Sequence, residues 1–268
     1  MYGSVAVAFS GGVDSAVVAK AAWLALADKA IAVTAVSPSL AESERQIAGD
    51  VASAIGICHV EVSTSEFQNA GYVANQSNRC YFCKHTLYQA MASKLSDWNA
   101  SVMVNGTNSD DLGDHRPGLI AADELQVRSP LVELGFDKAD VRAIAAAWQL
   151  SVADKPASPC LSSRIAYGIE VTAEKVRMIE QAEAAVRRLT SINEFRVRME
   201  ADLLARIEVS PSDLAAFVSE PTRTKLLEEF TAAGFQTVTL DLEGFRSGRM
   251  NDRLPAKDLP RVELGIPN

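Results

Sequence analysis

The sequence predicts an α/β protein: a parallel-sheet domain over residues 1–168, followed by a smaller α+β domain over residues 169–268. Three observations carry this. Short apolar runs at Val5–Phe9, Ile31–Val36, Cys58–Val62 and Val102–Val104 are separated by segments of helical length, the pattern of βαβ units around a sheet buried on both faces. From Ser151 to Gly168 the text turns to "SVADKPASPCLSSRIAYG", rich in Ser, Pro and Ala and without periodicity, which reads as a long ordered loop of the kind that usually carries function. Beyond it the order becomes helix, two alternating strands, helix and strand, which suits an α+β layer.

Taken in order, Val5–Phe9 is the first buried strand and Val13–Ala27 its helix. Ile31–Val36 and Cys58–Val62 are the next strands, with a helix over Glu42–Ile55 between them. A helix over Lys84–Trp98 leads to the strand Val102–Val104. In Lys138–Trp148 the apolar residues Val141, Ile144, Ala145 and Trp148 recur at i, i+3, i+4 and i+7, one face of a helix. The second domain reads as a helix over Thr172–Leu189, strands "FRVRME" and "LLARIEV", a helix over Thr222–Ala233 and a strand "FQTVTLDL". The tail from Arg253 onward, with prolines and mixed charge, is expected to be loosely ordered.

A chain of 268 residues, 48% hydrophobic and 22% charged, can bury a sizeable core. No basic region precedes the apolar start "MYGSVAVAFSGG", and no apolar run approaches a membrane span, so a cytoplasmic protein without a membrane partner is expected. A formal net charge of −8 argues against broad binding to nucleic acid or anionic membranes and favours small-molecule partners. A homo-oligomer is expected. Four cysteines are too few for a disulfide framework in a chain this long, which leaves packing, metal ligation or thiol chemistry.

"SGGVDS", Ser10–Ser15, joins the first strand to its helix. Gly11 and Gly12 lack a Cβ, so the backbone there can adopt positive φ and a ligand can approach closely. Such a turn aims several N–H groups one way at the positive end of a helix dipole, beside the hydroxyls of Ser10 and Ser15, and a phosphate is the natural guest. The alternative is a plain strand-to-helix turn with a polar cap. Six small or polar residues at the strand's C-terminal edge, where α/β sheets bind ligands, favour the site. Neither G-x-x-x-x-G-K-[ST] nor G-x-G-x-x-G occurs.

"NRCYFCK" carries Cys80 and Cys83 as C-x-x-C, a spacing shared by redox, zinc and iron–sulfur sites. Cys160 lies in the long loop beside Arg164. Three cysteines would give a metal three thiolates and leave one position open. Cys58 starts a buried strand and reads as a small core hydrophobe. His59, His85 and His115 show no metal-ligand spacing. In the second domain Arg196 and Arg198 alternate with Phe195 and Val197, so both guanidinium forks face one side and suit a phosphate or carboxylate, unless that side is simply a solvated strand face. Arg206 and Glu208 share a face of the next strand and can pair with each other.

"SGGVDS" resembles the PP-loop of the ATP pyrophosphatase superfamily, whose fold is adenine nucleotide alpha hydrolase-like. The resemblance implies that ATP is cut between its α and β phosphates, with Asp14 as a Mg²⁺ contact and Ser37 where adenosine binds. Gly106, Asn108, Asp110 and Asp111, after the strand Val102–Val104, join that nucleotide site. "NRCYFCK", "NGTNSDD", "RSPLVELGFDKADVR", "DKPASPCLSSRIAYG", "FRVR…ARIEV" and "LDLEGFRSG" extend the similarity from Ser10 to Gly248. Together they resemble the LarE-type ATP-dependent sulfur transferases, which make the nickel-pincer nucleotide.

That resemblance implies an enzyme that adenylylates a carboxylate of a pyridinium dicarboxylate mononucleotide, releases pyrophosphate and inserts sulfur to give a thiocarboxylate. It implies a substrate site at Arg196, Arg198, Arg206, Glu183, Glu208 and Asp241. Cys160 matches the family's essential cysteine. With Cys80 and Cys83 it implies a [4Fe-4S] cluster carrying an exchangeable sulfide; in single-cysteine members the sulfur comes from the matching cysteine itself. Two other readings are a tRNA thiolase, which the acidic composition disfavours, and a non-catalytic ATP-binding regulator, which would not need three cysteines.

Overall fold

A computed structural model describes residues 2–113 and 117–246; His115, the end of "LDLEGFRSG" and the tail from Arg253 lie outside the described residues. The described chain forms two compact units, residues 2–69 with 78–158 and residues 70–77 with 159–246. Cys160 and its loop therefore fall in the second unit, ahead of the boundary expected after residue 168. Among the described residues no helix is long and apolar enough to cross a membrane.

In the first unit β1 (Val5–Ala8), β2 (Ala30–Val36), β3 (Cys58–Ser63) and β4 (Val102–Val104) make an all-parallel sheet in the order β3-β2-β1-β4. Parallel neighbours need long crossovers, which run through α1 (Val13–Leu26) and α2 (Glu42–Ile55). Between β3 and β4 the chain passes through α3 (Ala70–Val73), which belongs to the second unit, and then α4 (Arg79–Ala92). After β4 come α5 (Gly118–Glu124), α6 (Pro130–Glu133) and α7 (Lys138–Ala147). Val5 and Val7 of β1 pack with Ala16, Val51, Ala52 and Val141 on one face, while Ala6 packs with Leu87, Tyr88, Met91 and Ala121 on the other. Burial on both sides explains the continuous apolar run.

Two expectations are corrected here. Cys58 is exposed rather than packed in the core, because β3 is an edge strand and Cys58 is its first residue. The helix expected over Lys84–Trp98 is α4, which starts at Arg79 and carries Cys80 and Cys83 within its first five residues. Asn78, a residue type suited to a helix start, stands at its N-cap, although its side chain makes no cap bond. By contrast α7 opens with a reciprocal cap, Asp140 N–H donating to Asp137 Oδ1 at 2.9 Å and Asp137 N–H to Asp140 Oδ2 at 3.2 Å.

In the second unit β5 (Phe195–Glu200) pairs antiparallel with β6 (Leu204–Val209), which pairs in parallel with β7 (Thr237–Leu240). The helices are α8 (Ala173–Thr190), α9 (Leu214–Val218) and α10 (Thr222–Ala233). The β5–β6 register sets Phe195 opposite Val209, Val197 opposite Ile207 and Met199 opposite Ala205, all six buried. Its other face sets Arg196 opposite Glu208 and Arg198 opposite Arg206. Residues 163–166 run beside β5, with Ala166 N–H donating to Met199 O at 2.9 Å. The short piece at 70–77 fastens this loop: Tyr72 Oη lies 2.8 Å from Ser162 Oγ, and Asn75 Nδ2 donates to the carbonyls of Ala166 and Ile169, each at 2.9 Å.

Candidate functional site

The first unit gathers its candidate residues at the C-terminal edge of the sheet. Gly11 has φ +68°, and a Cβ there would sit 2.8 Å from Ala48 Cα, so only glycine serves. Gly12 is different. Its backbone is extended, φ −82° and ψ 163°, and a Cβ would meet only Ser10 Oγ at 3.4 Å. Of the two glycines expected to supply positive φ, Gly11 alone does so. The serine hydroxyls brace the turn: Ser15 Oγ accepts from Ser10 N–H at 3.2 Å and donates to Gly12 O at 3.0 Å. Gly12 caps α1 without a side-chain bond, which leaves the first-turn N–H groups to an external acceptor.

Gly106 is a packing glycine, since a Cβ on it would lie 2.7 Å from Ser15 N. It lets the loop after β4 close over the start of α1. That loop delivers buried Asn108, whose Nδ2 donates to Asp14 Oδ1 at 2.9 Å and whose N–H donates to Asp111 Oδ2 at 3.1 Å. Lys138, at the start of α7, donates to Asp14 Oδ2 at 2.5 Å. Asp14, expected to contact Mg²⁺, thus has both oxygens engaged by the protein, and a cation there would have to share or displace the Lys138 bond. At the end of β2, Ser37 Oγ lies 2.8 Å from Ser39 Oγ, and Ser39 Oγ donates to buried Glu66 Oε1 at 3.2 Å.

The second unit assembles a charged network on the polar face of β5 and β6. Glu208, fully buried, accepts from Arg198 Nε at 3.0 Å and from Arg206 Nη1 at 2.6 Å. Arg206 also reaches Asp241 Oδ2 at 2.6 Å and Glu200 Oε1 at 2.9 Å. Two arginines opposite each other on adjacent strands would repel; the carboxylates between and beside them remove the conflict. Glu183 on α8, buried, accepts from Arg164 Nε at 3.0 Å and from Val197 N–H at 3.3 Å. Arg164 in turn donates to the carbonyls of Pro159 at 2.5 Å and Cys160 at 3.3 Å, while Ser163 Oγ donates to Cys160 O at 2.6 Å. The backbone beside the exposed Cys160 thiol is therefore clamped by a buried ion pair.

Arg196, half-buried, stacks its guanidinium 4.9 Å from the Phe245 ring centre. Burial pushes its pKa down to about 10, and the positive charges of Arg164 and Arg198 add to the shift while Glu183 opposes it. Burial lowers Arg198 as well, against the pull of Glu208. Burial also opposes the charge of Arg206, but hydrogen bonds to Glu200 and Asp241 hold its pKa above the ordinary value. Arg164 and Arg198 both lie near Arg196, and each is itself held by a buried carboxylate, Glu183 and Glu208 respectively.

The structure brings together Ser10, Gly11, Gly12, Asp14, Ser15, Gly106, Asn108 and Asp111 in one unit, and Glu183, Arg196, Arg198, Arg206, Glu208 and Asp241 in the other. Cys80 and Cys83 lie one turn apart on α4, exposed and half-buried, in the first unit; Cys160 is in the second. Among the described residues no three His, Cys, Asp or Glu side chains gather as a metal site requires. Sequence reasoning missed Lys138, which stands inside "DKADVR" but 124 residues from its partner, and Ser39 and Glu66, which carry no motif.

A parallel sheet with a glycine turn at its edge, together with a small α+β unit built round an arginine–carboxylate network, defines the class: a PP-loop-like α/β protein with a second, smaller unit. No family model matches the chain. It is 35% identical over 257 residues to the pyridinium-3,5-bisthiocarboxylic acid mononucleotide synthase of Lactiplantibacillus plantarum, covering 95% of this chain and 91% of that protein. An uncharacterized protein of Synechocystis sp. is 46% identical over 91% of both chains, and one of Methanocaldococcus jannaschii 32% identical over 65% of this chain and 67% of its own length. The chain belongs to the LarE family of sulfur transferases and is an enzyme.

Proposed function

We propose that this enzyme activates a carboxylate of a pyridinium dicarboxylate mononucleotide with ATP and replaces the activated oxygen with sulfur, as a cytoplasmic homo-oligomer. The observation that carries the nucleotide half is the Gly11–Gly12 turn, with α1 opening behind it uncapped by any side chain. Pyrophosphate binds against those N–H groups, and Asp14 would hold Mg²⁺ beside it by sharing or giving up its Lys138 bond. The carboxylate oxygen attacks the α-phosphorus and pyrophosphate leaves. A sulfur nucleophile then attacks the acyl carbon, and AMP departs with the electron pair of the C–O bond. The guanidinium forks of Arg196 and Arg198 on β5 support binding of the substrate's phosphate or carboxylate in the second unit.

Two sulfur sources are compatible with the residues. Cys80, Cys83 and Cys160 would hold a [4Fe-4S] cluster, which when bound supplies an exchangeable sulfide. Cys80 and Cys83 stand on α4 of the first unit and Cys160 in the loop of the second. The second source is Cys160 itself, exposed at its clamped backbone: loss of its α-proton and cleavage of Cβ–S would leave dehydroalanine. Anaerobically purified protein incubated with ATP, Mg²⁺ and the mononucleotide should release pyrophosphate and form thiocarboxylate. No pyrophosphate would overturn the reading. If the cluster operates, Cys80→Ala, Cys83→Ala and Cys160→Ala each lose iron, sulfide and activity, and Cys58→Ala loses none. Activity retained in Cys80→Ala with dehydroalanine at position 160, read by mass spectrometry, assigns the sulfur to Cys160.

A further inference from the structure

The Gly11–Gly12 turn is tied to the two strands beside β1 by residues outside its own motif, Thr34 in β2 and His59 in β3. Thr34 Oγ1, in a side chain shut away from solvent, lies 2.8 Å from Phe9 O and 2.8 Å from His59 Nε2. A hydroxyl has one hydrogen to give and a carbonyl can only accept, so that hydrogen goes to Phe9 O. The second contact must then be donated by His59, which fixes a hydrogen on its Nε2. The same ring meets Phe9 edge-on, with 5.8 Å between ring centres and 75° between planes. A relay of donors therefore runs from the edge strand β3 through β2 to the end of β1.

What the relay holds is the Phe9–Ser10 peptide. That peptide is trans, so Phe9 O and Ser10 N–H point to opposite sides of one rigid plane. Thr34 takes the carbonyl, and Ser10 N–H donates to Ser15 Oγ at 3.2 Å. Ser15 Oγ spends its own hydrogen on Gly12 O at 3.0 Å, so its 3.2 Å contact with Ser10 Oγ is donated by Ser10. Gly12 is the residue from which α1 opens, and the hydrogens are thus ordered all the way from His59 to it. We infer that Thr34 and His59 are positioning residues for phosphate binding: by pinning the Phe9–Ser10 plane they keep the turn in the conformation that presents its N–H groups to the nucleotide. This rests on the reading that ATP binds at this turn. A turn free to sample other conformations binds with an affinity reduced by the fraction of time it spends in the competent one, so loss of the relay weakens ATP binding even where the fold stays whole.

Titration calorimetry with ATP and Mg²⁺ on the full chain tests this, with thermal scans to establish that each variant is folded. Thr34→Val keeps the shape of the buried side chain but not its hydrogen, and should weaken ATP binding about fivefold or more, the worth of one hydrogen bond. Thr34→Ser, which keeps the hydroxyl, should bind within about twofold of wild type. At half-buried His59 the test does not depend on a core substitution. His59→Gln can place an N–H where Nε2 stood, and should bind ATP about threefold more tightly than His59→Leu, which cannot. In the Thr34→Val background that difference should vanish, because no hydroxyl is left for the amide to order. A purely structural role would not make the two His59 substitutions depend on residue 34. Affinity within about twofold of wild type in a folded Thr34→Val protein, equal binding by His59→Gln and His59→Leu, or a difference between them that survives in the Thr34→Val background overturns the relay while leaving the ATP reading intact. Failure of the wild type to bind ATP overturns that reading itself.

Discussion

Replacing each of the two turn glycines in turn should separate folding from function. In Gly11→Ala the new Cβ meets Ala48 Cα at 2.8 Å and Ala48 N at 3.0 Å, contacts with backbone atoms that cannot swing aside. The left-handed backbone, φ +68°, costs a residue with a Cβ roughly 1–2 kcal/mol, and the overlap about 1–3 kcal/mol more. A loss of about 2–5 kcal/mol corresponds to a melting temperature lower by roughly 4–20 °C at this size. Gly12→Val faces no such barrier. Its backbone is already extended, which valine favours, and the nearest atom to a Cβ is Ser10 Oγ at 3.4 Å. The smaller freedom of the unfolded chain contributes about 0.4–1 kcal/mol and offsets the poorer cap, so its melting temperature should stay within about 3 °C of wild type. Yet the branched side chain stands at the start of α1, where the phosphates would bind, and pyrophosphate release should fall at least about a hundredfold. Calorimetric scans and a pyrophosphate assay on both variants decide the matter. Normal release by Gly12→Val would refute the phosphate role of the turn, and an unchanged melt in Gly11→Ala would refute the packing argument.

Two further outcomes follow from the ion pairs and the edge histidine. Arg164→Ala should destabilise the protein by about 3–5 kcal/mol in urea melts, because it leaves buried Glu183 without its closest cation, and should speed amide hydrogen exchange at residues 160–165; equal exchange would show that Arg164 does not clamp the Cys160 backbone. His59, whose pKa burial lowers from 6.5, stays neutral in the fold while the unfolded chain takes up a proton, so its contribution to stability is present above pH 6.5 and is lost as pH falls toward the lower folded value. The wild-type melting temperature should therefore drop more between pH 7 and pH 5.5 than that of His59→Gln, as scanning calorimetry would read; parallel curves would remove His59 from the account.

The sheet of the first unit was legible because β1, β2 and β4 are buried as apolar runs and α7 carries its period openly. Cys58 was misread because an apolar run says nothing about which strand lies at an edge. The start of α4 was missed because "RCYFC" shows no clear helical period after Asn78, so the cap residue stood without a pattern behind it. On β5 the alternation showed that Arg196 and Arg198 share a side. It could not show that Glu208 and Ser163 O occupy the Arg198 fork, since a solvated charged face and a covered one have the same sequence. Lys138 and Asp14 pair across 124 residues, a distance over which no local pattern speaks.

The eight residues at 70–77 give the chain a timetable. Asn75, fully buried, donates to the carbonyls of Ala166 and Ile169, which leave the ribosome about 90 residues later. At about 5–20 residues per second, that piece waits roughly 5–20 s for its partners, while β1, β2 and β3 can already be pairing. The second unit is therefore begun inside the first and cannot be finished until the first has been made whole. A fragment ending at Ser158 would strand Tyr72 and Asn75 without the loop they fasten, and one beginning at Pro159 would lack the residues that tie down its cysteine-bearing segment. Separating the units would require moving residues 70–77 as well, by permuting the chain rather than cutting it once.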